Sequence, residues 1–501
     1  MINKKMLFLG IILIILTAFS SVEGFDNPKA KQPPKAKPHR HSAGESLPPL
    51  PLPATPLRRS ERKRQPAPPV LVGMINFSDF KLVGGERVDI FPTTQIDIER
   101  LMRHANNRLK IQYRYVNMTM EKFSWNPKEM PLLYITGWTP MPKLSVSLIG
   151  KLRRYLYDGG TLVLHSQCGR PEFGKTAKQE VSRIFPRRRL AVIEQDSPLY
   201  HAYFDILHMR IRINKEPFIT KKPYLEVLYL GCRPAIIFSP IDLNCGWDVA
   251  KNPIEGGILY HQNDALALGV NIITIVLANF QYAKAFGTEK IYYQQTKKSR
   301  DQLIIAQIIH SGDWDPTPHA LPNLMKYIQN NTTLSVQFKR KTIDMSNKEI
   351  FRHPVLYMTG LRAFKLNDSQ IANLRNYLIS GGVLIADASA GRMAFDKSFR
   401  EAIRIVLPNR NLELIREDSP IFQMPYNTKN VNYTDMAKSR NPALNTPVLE
   451  GIKIDNQLSV IYSKYGLSNG WEQLGFAYNT GYEDKDALKL GVNIFAFALT
   501  H

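Results

Sequence analysis

Cysteine is scarce. Three residues in 501 exclude a small scaffold stapled by disulfides. Long apolar runs are scarce too. The first, Met6 to Phe19, spans only 14 residues. The next best, Ala265 to Phe280, carries Asn271 and Asn279 and follows Asp264, so it reads as a buried helix and not as a membrane span. Acidic residues are outnumbered, 43 Asp and Glu against 66 Lys and Arg, which leaves a net charge of +23. Neither a Gly-x-Gly-x-x-Gly nor a Gly-x-x-x-x-Gly-Lys-Ser/Thr stretch occurs, so nucleotide binding has no specific signal and no cofactor is implied. The remainder is ordinary. A chain that is 44% hydrophobic and 22% charged is globular, neither wholly disordered nor a multi-span membrane protein.

The first segment reads as an address. Lys4 and Lys5 precede the apolar run, and Ala18, Ser20, Ser21 and Gly24 follow it. A basic start, a short apolar centre and a small-residue exit are the pattern of a secretory signal peptide over residues 1–24. Residues 25–69 are different: 12 prolines, with ten Lys or Arg against three Asp or Glu. Such a stretch buries too little apolar surface to fold and reads as an extended tether. Its charge fits an anionic surface such as lipid headgroups or an acidic envelope polymer. Export makes nucleic acid a poor partner, and after signal processing no transmembrane helix is expected. The body from Val70 keeps about +15.

The body is one domain written twice. Pro131 to Gly137 returns as Pro354 to Gly360, and Tyr155 to Leu164 as Tyr377 to Ala386. Asp196-Ser-Pro198 returns as Asp418-Ser-Pro420, and Gly246-Trp247-Asp248 as Gly470-Trp471-Glu472. Asp264 to Ile272 returns as Asp486 to Ile494. The offset stays between 222 and 224, far longer than a solenoid unit. The division is 70–285 for the first repeat, 286–300 for a linker and 301–501 for the second.

Each repeat alternates strand and helix. In the second, Leu303 to Ile309, Thr333 to Phe338, Val355 to Thr359, Val383 to Ala386, Leu412 to Ile415 and Leu458 to Tyr462 read as strands. Helices are expected from Pro322 to Gln329, from an Asn367/Gln370 capping box to Ile379, from Lys397 to Val406 and from Ala487 to Leu499. Short continuous apolar strands separated by helices imply an α/β fold whose mainly parallel sheets carry helices on both faces. The less regular stretches Asp196 to Ala235 and Asp418 to Leu458 read as a hairpin or flap.

Several of these motifs occur in a recognisable order. They are Leu-Tyr-Met-Thr-Gly360, the helix ending Tyr-Leu-x-x-Gly-Gly382, the strand up to Asp387, Gly391-Arg392 with Phe395-Asp396, and Asp313-Trp314. In this the chain resembles the domain-of-unknown-function 4159 family over both repeats. The first repeat departs from the second at His165, where Asp387 stands, and at Ser78-Asp79-Phe80, where the second reads Gly312-Asp313-Trp314. The resemblance implies two tandem flavodoxin-like three-layer domains, similar to class I glutamine amidotransferases. It implies no reaction.

In parallel sheets, ligands bind beyond the carboxyl ends of the strands. The loops there carry Ser78 and Asp79, His165 to Arg170 and Asp242 to Trp247 in the first repeat, and Ser463 to Trp471 in the second. The candidate ligand-binding residues are Thr136, Gly137, His165, Cys168, Gly169, Arg170, Asp313, Trp314, Thr359, Gly360, Asp387, Gly391 and Arg392. The Gly-Arg pairs stand out, because glycine admits a close ligand and arginine pairs bidentately with carboxylate or phosphate. An amidotransferase elbow, Gly-x-Cys-x-Gly with a later His-x-Glu, fits none of Cys168, Cys232 and Cys245. Metal spacing is absent: His39 and His41 lie in the tether, and Asp387 has no His or Cys beside it in sequence. Cys168 and Cys245 become Ala390 and Asn469 in the second repeat, and export permits a Cys168–Cys245 disulfide with Cys232 free. Neither repeat assembles an acid, base and nucleophile. The expectation is an exported, non-catalytic protein that binds a protein partner or anionic envelope component at its strand-end clefts. The alternatives are an envelope hydrolase using one cleft, or a structural envelope component.

Overall fold

The computed structural model describes residues 67–77, 79–84, 86–90, 97–248, 256–286, 302–331, 337–473 and 475–500. The expected signal peptide, all but the last residues of the tether, the linker after Phe286, and Ser78 lie outside these. The first repeat holds strands β1 (Val70–Phe77), β2 (Asp79–Val83), β3 (Glu86–Ile90), β4 (Arg114–Asn117), β5 (Leu132–Gly137), β6 (Thr161–Ser166), β7 (Ala191–Val192), β8 (Met209–Ile213), β9 (Ile219–Lys221), β10 (Glu226–Leu230), β11 (Arg233–Ser239) and β12 (Ile258–Tyr260). Its helices are α1 (Asp97–Leu109), α2 (Val146–Tyr157), α3 (Pro171–Ile184), α4 (Pro198–His201), α5 (Asn244–Asp248) and α6 (Gln262–Phe286). The second repeat follows with strands β13 (Gln302–Ile309), β14 (Gln337–Asp344), β15 (Val355–Gly360), β16 (Val383–Ala388), β17 (Glu413–Leu414), β18 (Glu450–Ile454) and β19 (Gln457–Ser463). Its helices are α7 (Ala320–Asn331), α8 (Asp368–Ile379), α9 (Met393–Val406), α10 (Asp435–Arg440), α11 (Ser468–Glu472) and α12 (Asp484–Thr500).

The two main sheets share one topology, β4-β1-β5-β6-β11-β10-β7 and β14-β13-β15-β16-β19-β18-β17. The first five strands of each pair in parallel, and β10 and β18 run antiparallel to their neighbours. Strand alternation sends successive residues to opposite faces. Leu132, Tyr134 and Val163 join α1 and α6 in one core, whereas Leu133, Ile135, Leu162 and Leu164 join α2 and α3 in another. The second repeat divides likewise, Tyr357 and Ile385 with α7 and α12, Leu356 and Leu384 with α8 and α9. Two helix layers thus enclose each sheet, which is why its central strands read as unbroken apolar runs.

The repeated motifs are packing devices. Gly159 and Gly381 leave α2 and α8 with φ of 112° and 90°. A Cβ on the following Gly160 or Gly382 would sit 2.3 Å from the ring of Tyr155 or Tyr377. Trp247 and Trp471 donate their indole N–H to the carbonyls of Ala265 (2.9 Å) and Ala487 (2.7 Å). Asn271 and Asn493 fasten α6 and α12 to the segments around Phe204 and Tyr426, each through both ends of its amide. By length and composition Gln262–Gln281 could cross a membrane. Here Ala265, Leu268, Val270 and Ile273 of that stretch are buried in the first core.

Most expected elements are present, including the reciprocal Asn367/Gln370 cap. Others differ in extent. Thr333 to Val336 of the strand expected at Thr333 to Phe338 lie outside the described residues, and β14 runs on to Asp344, its Lys339, Arg340 and Lys341 at a sheet edge where apolar residues are not required. Helix α9 starts at Met393 and not Lys397, since the Gly391-Arg392 turn leads straight into it. The stretch read as a hairpin or flap before Leu458 ends in the antiparallel hairpin of β18 and β19. Its mate in the first repeat holds the antiparallel pair β8 and β9, which join β12 in a separate sheet.

The repeats pack against each other. The carboxyl-end loops of the second sheet press on edge strand β7 of the first, the segment after it and the β10–β11 turn. Arg362 donates to the carbonyls of Ala191 (2.7 Å) and Val192 (2.9 Å), and Asn469 Nδ2 donates to Cys232 Sγ (2.9 Å). Arg392 pairs with Asp196 at 3.4 Å, and the Met393 N–H donates to the same carboxylate at 3.0 Å. Leu361 and Ala390 belong to the first repeat's core, with Phe476 and Tyr478 packed against it.

Candidate functional site

This stacking separates the two strand-end edges. At the second repeat's edge, a cavity of about 10 Å³ remains among Cys232, Leu361, Ala390, Arg392 and Phe476, room for about one water. Asp313 lies partly buried beside it, its carboxyl pushed up to about 6 by burial against the pull of Arg188 and Arg362. Trp314 faces outward with Arg340 over its ring at 5.6 Å. Gly360 packs against Gly312, Phe395 and His310, and Gly391 against Thr480.

Asp387 is buried and fully used. Its carboxylate accepts from Tyr357 Oη (2.7 Å), the amides of Leu467 and Ser468 (both 3.0 Å) and Ser468 Oγ (2.9 Å), and Thr359 lies 3.4 Å from that hydroxyl. Burial raises its pKa, and these donors oppose the rise.

His165 does the same work in the first repeat. Its Nε2 accepts the Leu243 amide (2.9 Å), the counterpart of Leu467. The proton therefore sits on Nδ1, which faces Tyr134 Oη (3.0 Å) and Thr136 Oγ1 (2.9 Å). Tyr134 donates onward to Asn244, and Asn244 to Asp97. Burial lowers the His165 pKa to about 3, so the ring is neutral. Burial lifts Asp97 to about 7. Histidine and aspartate are thus alternative acceptors for one loop amide, each tied into the fold by the bonds it makes.

Cys168 follows β6 with left-handed backbone, φ 50°, matched by Ala390 at 52°. Its amide donates to Asp242, which also accepts the Cys245 amide (2.8 Å) and faces Cys245 Sγ (3.4 Å). Burial pushes the Asp242 carboxyl up to about 6. The three cysteines are free thiols, and the sulfurs of Cys168 and Cys245 with a carboxylate oxygen of Asp242 lie within 4.8 Å of one another. The structure thus brings the two candidate disulfide partners together without a bond, and it places Cys232 against the second repeat. Gly137 packs on the Phe173 ring, and Gly169 (φ 67°) lies against Ile258. Arg170 is partly exposed and stacks 4.1 Å over Trp138, and its Nε has no partner among the described residues.

Sequence reasoning put Thr136, His165, Cys168 and Arg170 at one edge, where they are. It also put the loop Asp242 to Trp247 there without a role for Asp242 or Asn244, and it did not single out Tyr134, Asp97 or Trp138. Asp242 becomes Gly466 in the second repeat, so the duplication carried no signal for it.

No curated protein matches the chain. Among solved structures, the mmIFT52 N-terminal domain aligns at 11% identity and a TM-score of 0.22, over 40% of this chain and 98% of that one. A ThuA-like protein from Bacteroides uniformis aligns at 12% and 0.24, over 42% and 96%. Likenesses this slight carry no argument. The sequence match is extensive, covering residues 89–277 and again 304–499. The chain therefore belongs to the family described as Domain of unknown function (DUF4159), with one copy of that domain in each repeat.

Proposed function

We propose that this chain is an exported, non-catalytic scaffold that takes a carboxylate-bearing partner at the strand-end edge of its first repeat. The observation that carries this reading is internal. In the second repeat the residue after the glycine turn, Arg392, already meets a carboxylate, that of Asp196. Arg170 is its counterpart, set on the Trp138 ring with no partner for its Nε among the described residues. Pro171 stands where Met393 gives its amide, so the first site offers the guanidinium without that N–H. Its affinity for a single carboxylate is accordingly modest.

The non-catalytic part rests on His165 and Asp387, whose hydrogen-bonding capacity is spent on the fold. The hydrolase alternative would need one of them free. The amidotransferase-like reading of each repeat is supported by the shared strand order and by the left-handed turn that carries Cys168 between β6 and α3. Export rests on residues 1–24, and attachment to an anionic envelope surface on the basic, proline-rich tether.

The test uses the full chain without residues 1–24 and a labelled peptide with the sequence of residues 194–199, which carries Asp196. Saturable binding that Arg170→Ala abolishes is expected. Binding unaffected by Arg170→Ala, or none at millimolar peptide, would overturn the reading.

A further inference from the structure

Two loops far apart in sequence meet in the first repeat. One, after β6, brings Cys168. The other, after β11, brings Asp242 and Cys245. Among the described residues, no other group of three or more His, Cys, Asp or Glu ligand atoms is gathered this way. We propose that Cys168, Asp242 and Cys245 bind a thiophilic divalent cation of the zinc class, through two thiolates and one carboxylate, with a fourth position open to an outside ligand.

The spacing fits. Tetrahedral zinc, with about 2.3 Å to sulfur and about 2.0 Å to oxygen, sets S···S near 3.8 Å and S···O at roughly 3.5 Å. Cys245 Sγ and Asp242 Oδ2 are 3.4 Å apart, and all three donors fall within 4.8 Å. Two sulfurs disfavour magnesium and calcium. Cys168 is buried and Cys245 partly exposed, so the open position reaches solvent on the Cys245 side. The carboxylate is already oriented by the Cys168 and Cys245 amides, which leave it lone pairs for a metal.

The second repeat shows that the fold does not need these donors. On the same backbone turn it places Ala390, Gly466 and Asn469. There the Asn469 Oδ1 accepts the Ala390 amide and lies 3.2 Å from Ser389 Oγ, so one neutral side chain holds the turn. All three donors are missing together. The first repeat instead crowds two thiols and a carboxyl into a site where no Lys or Arg pairs with Asp242 among the described residues. Thiols bind a cation as thiolates, so affinity rises with pH.

The full chain without residues 1–24, reduced, freed of metal by a chelator and held under inert gas, is titrated with Co²⁺ and then Zn²⁺. One equivalent of Co²⁺ should give thiolate-to-cobalt charge transfer in the near ultraviolet and tetrahedral ligand-field bands, both removed by Zn²⁺. The triple variant Cys168→Ala, Asp242→Gly, Cys245→Asn carries the second repeat's residues. It should keep its fold by circular dichroism and weaken binding by more than about a hundredfold. If it fails to fold, Cys245→Asn alone, at a partly exposed position, should remove the charge-transfer band. No band in the reduced wild type, or a band unchanged in a folded variant, overturns the proposal.

Discussion

At the residue scale, the buried titratable groups of the first repeat pull in opposite directions with pH. Burial holds His165 neutral, at about 3 against an ordinary 6.5. Between those values the unfolded chain binds a proton that the native state refuses, so stability falls as pH drops below 6.5. In His165→Gln the amide oxygen can still accept from Leu243, and this term vanishes. Urea unfolding at pH 7 and pH 5 should show the wild type losing more stability than the variant, by up to about 1.4 kcal/mol per pH unit. Parallel losses would contradict the buried, neutral ring. Asp97 has the reverse sign. Its pKa is raised from 3.8 to about 7 by burial, so the native state holds the extra proton and stability declines as pH rises through that window. Asp97→Asn should therefore gain on the wild type between pH 5 and pH 8 in the same measurement. Neither role was legible in sequence. His165 stood out as a departure from Asp387, which suggested chemistry, and only the shared Leu243 and Leu467 amides show it to be an exchange of acceptors.

At the scale of elements, the motif Tyr-Leu-x-x-Gly-Gly was legible because it encodes two demands at once, a helix exit with positive φ and a ring lying flat on the next residue. Adding a methyl at Gly160 or Gly382 should cost about 2–3 kcal/mol, since the ring is held by the Tyr155 or Tyr377 hydroxyl bonded to main-chain carbonyls. Gly150→Ala is the control. It lies within α2 with nothing within 4 Å of the added carbon, and a gain of about 0.5–1 kcal/mol is expected there. Differential scanning calorimetry on the three variants checks both signs. Where the extent of an element was hard to read from sequence, the reasons are physical. Strand β14 carries Lys339, Arg340 and Lys341 at a sheet edge, where apolar alternation is weak. Strand β18 interrupts its apolar run with Glu450 and Lys453. Glu450 is paired with Arg400 at 2.6 Å, a contact that only the folded chain supplies.

At the scale of the whole molecule, duplication was plain in anchors repeated in order at one offset, but stacking was not. The interface draws Ala191, Val192, Cys232, Arg362, Asn469 and Phe476 from separate segments, and none of these keeps its residue type in the sister repeat. The Asp196–Arg392 side chains are 12% and 8% exposed, so their coupling is not screened as a surface pair would be. A double-mutant cycle of Asp196→Ala and Arg392→Ala should give a coupling of about 1 kcal/mol, with both repeats unfolding in one transition. Additive losses, or two separated transitions, would mean that the repeats are independent.

The arrangement on which the functional reading depends is that the first repeat covers the strand ends of the second, whereas Arg170 at its own strand-end edge stays partly exposed. Cys232 lies between the repeats, buried, with its thiol pushed up to about 12, by burial before all else. In a Cys168→Ala, Cys245→Asn background it is the single thiol of the chain, and its rate of reaction with a thiol reagent under native conditions reads the interface directly. The expected result is labelling slowed by at least about a hundredfold relative to the unfolded chain, and accelerated by Arg392→Glu. Rapid labelling of Cys232 in the otherwise unaltered protein would contradict the stacked arrangement.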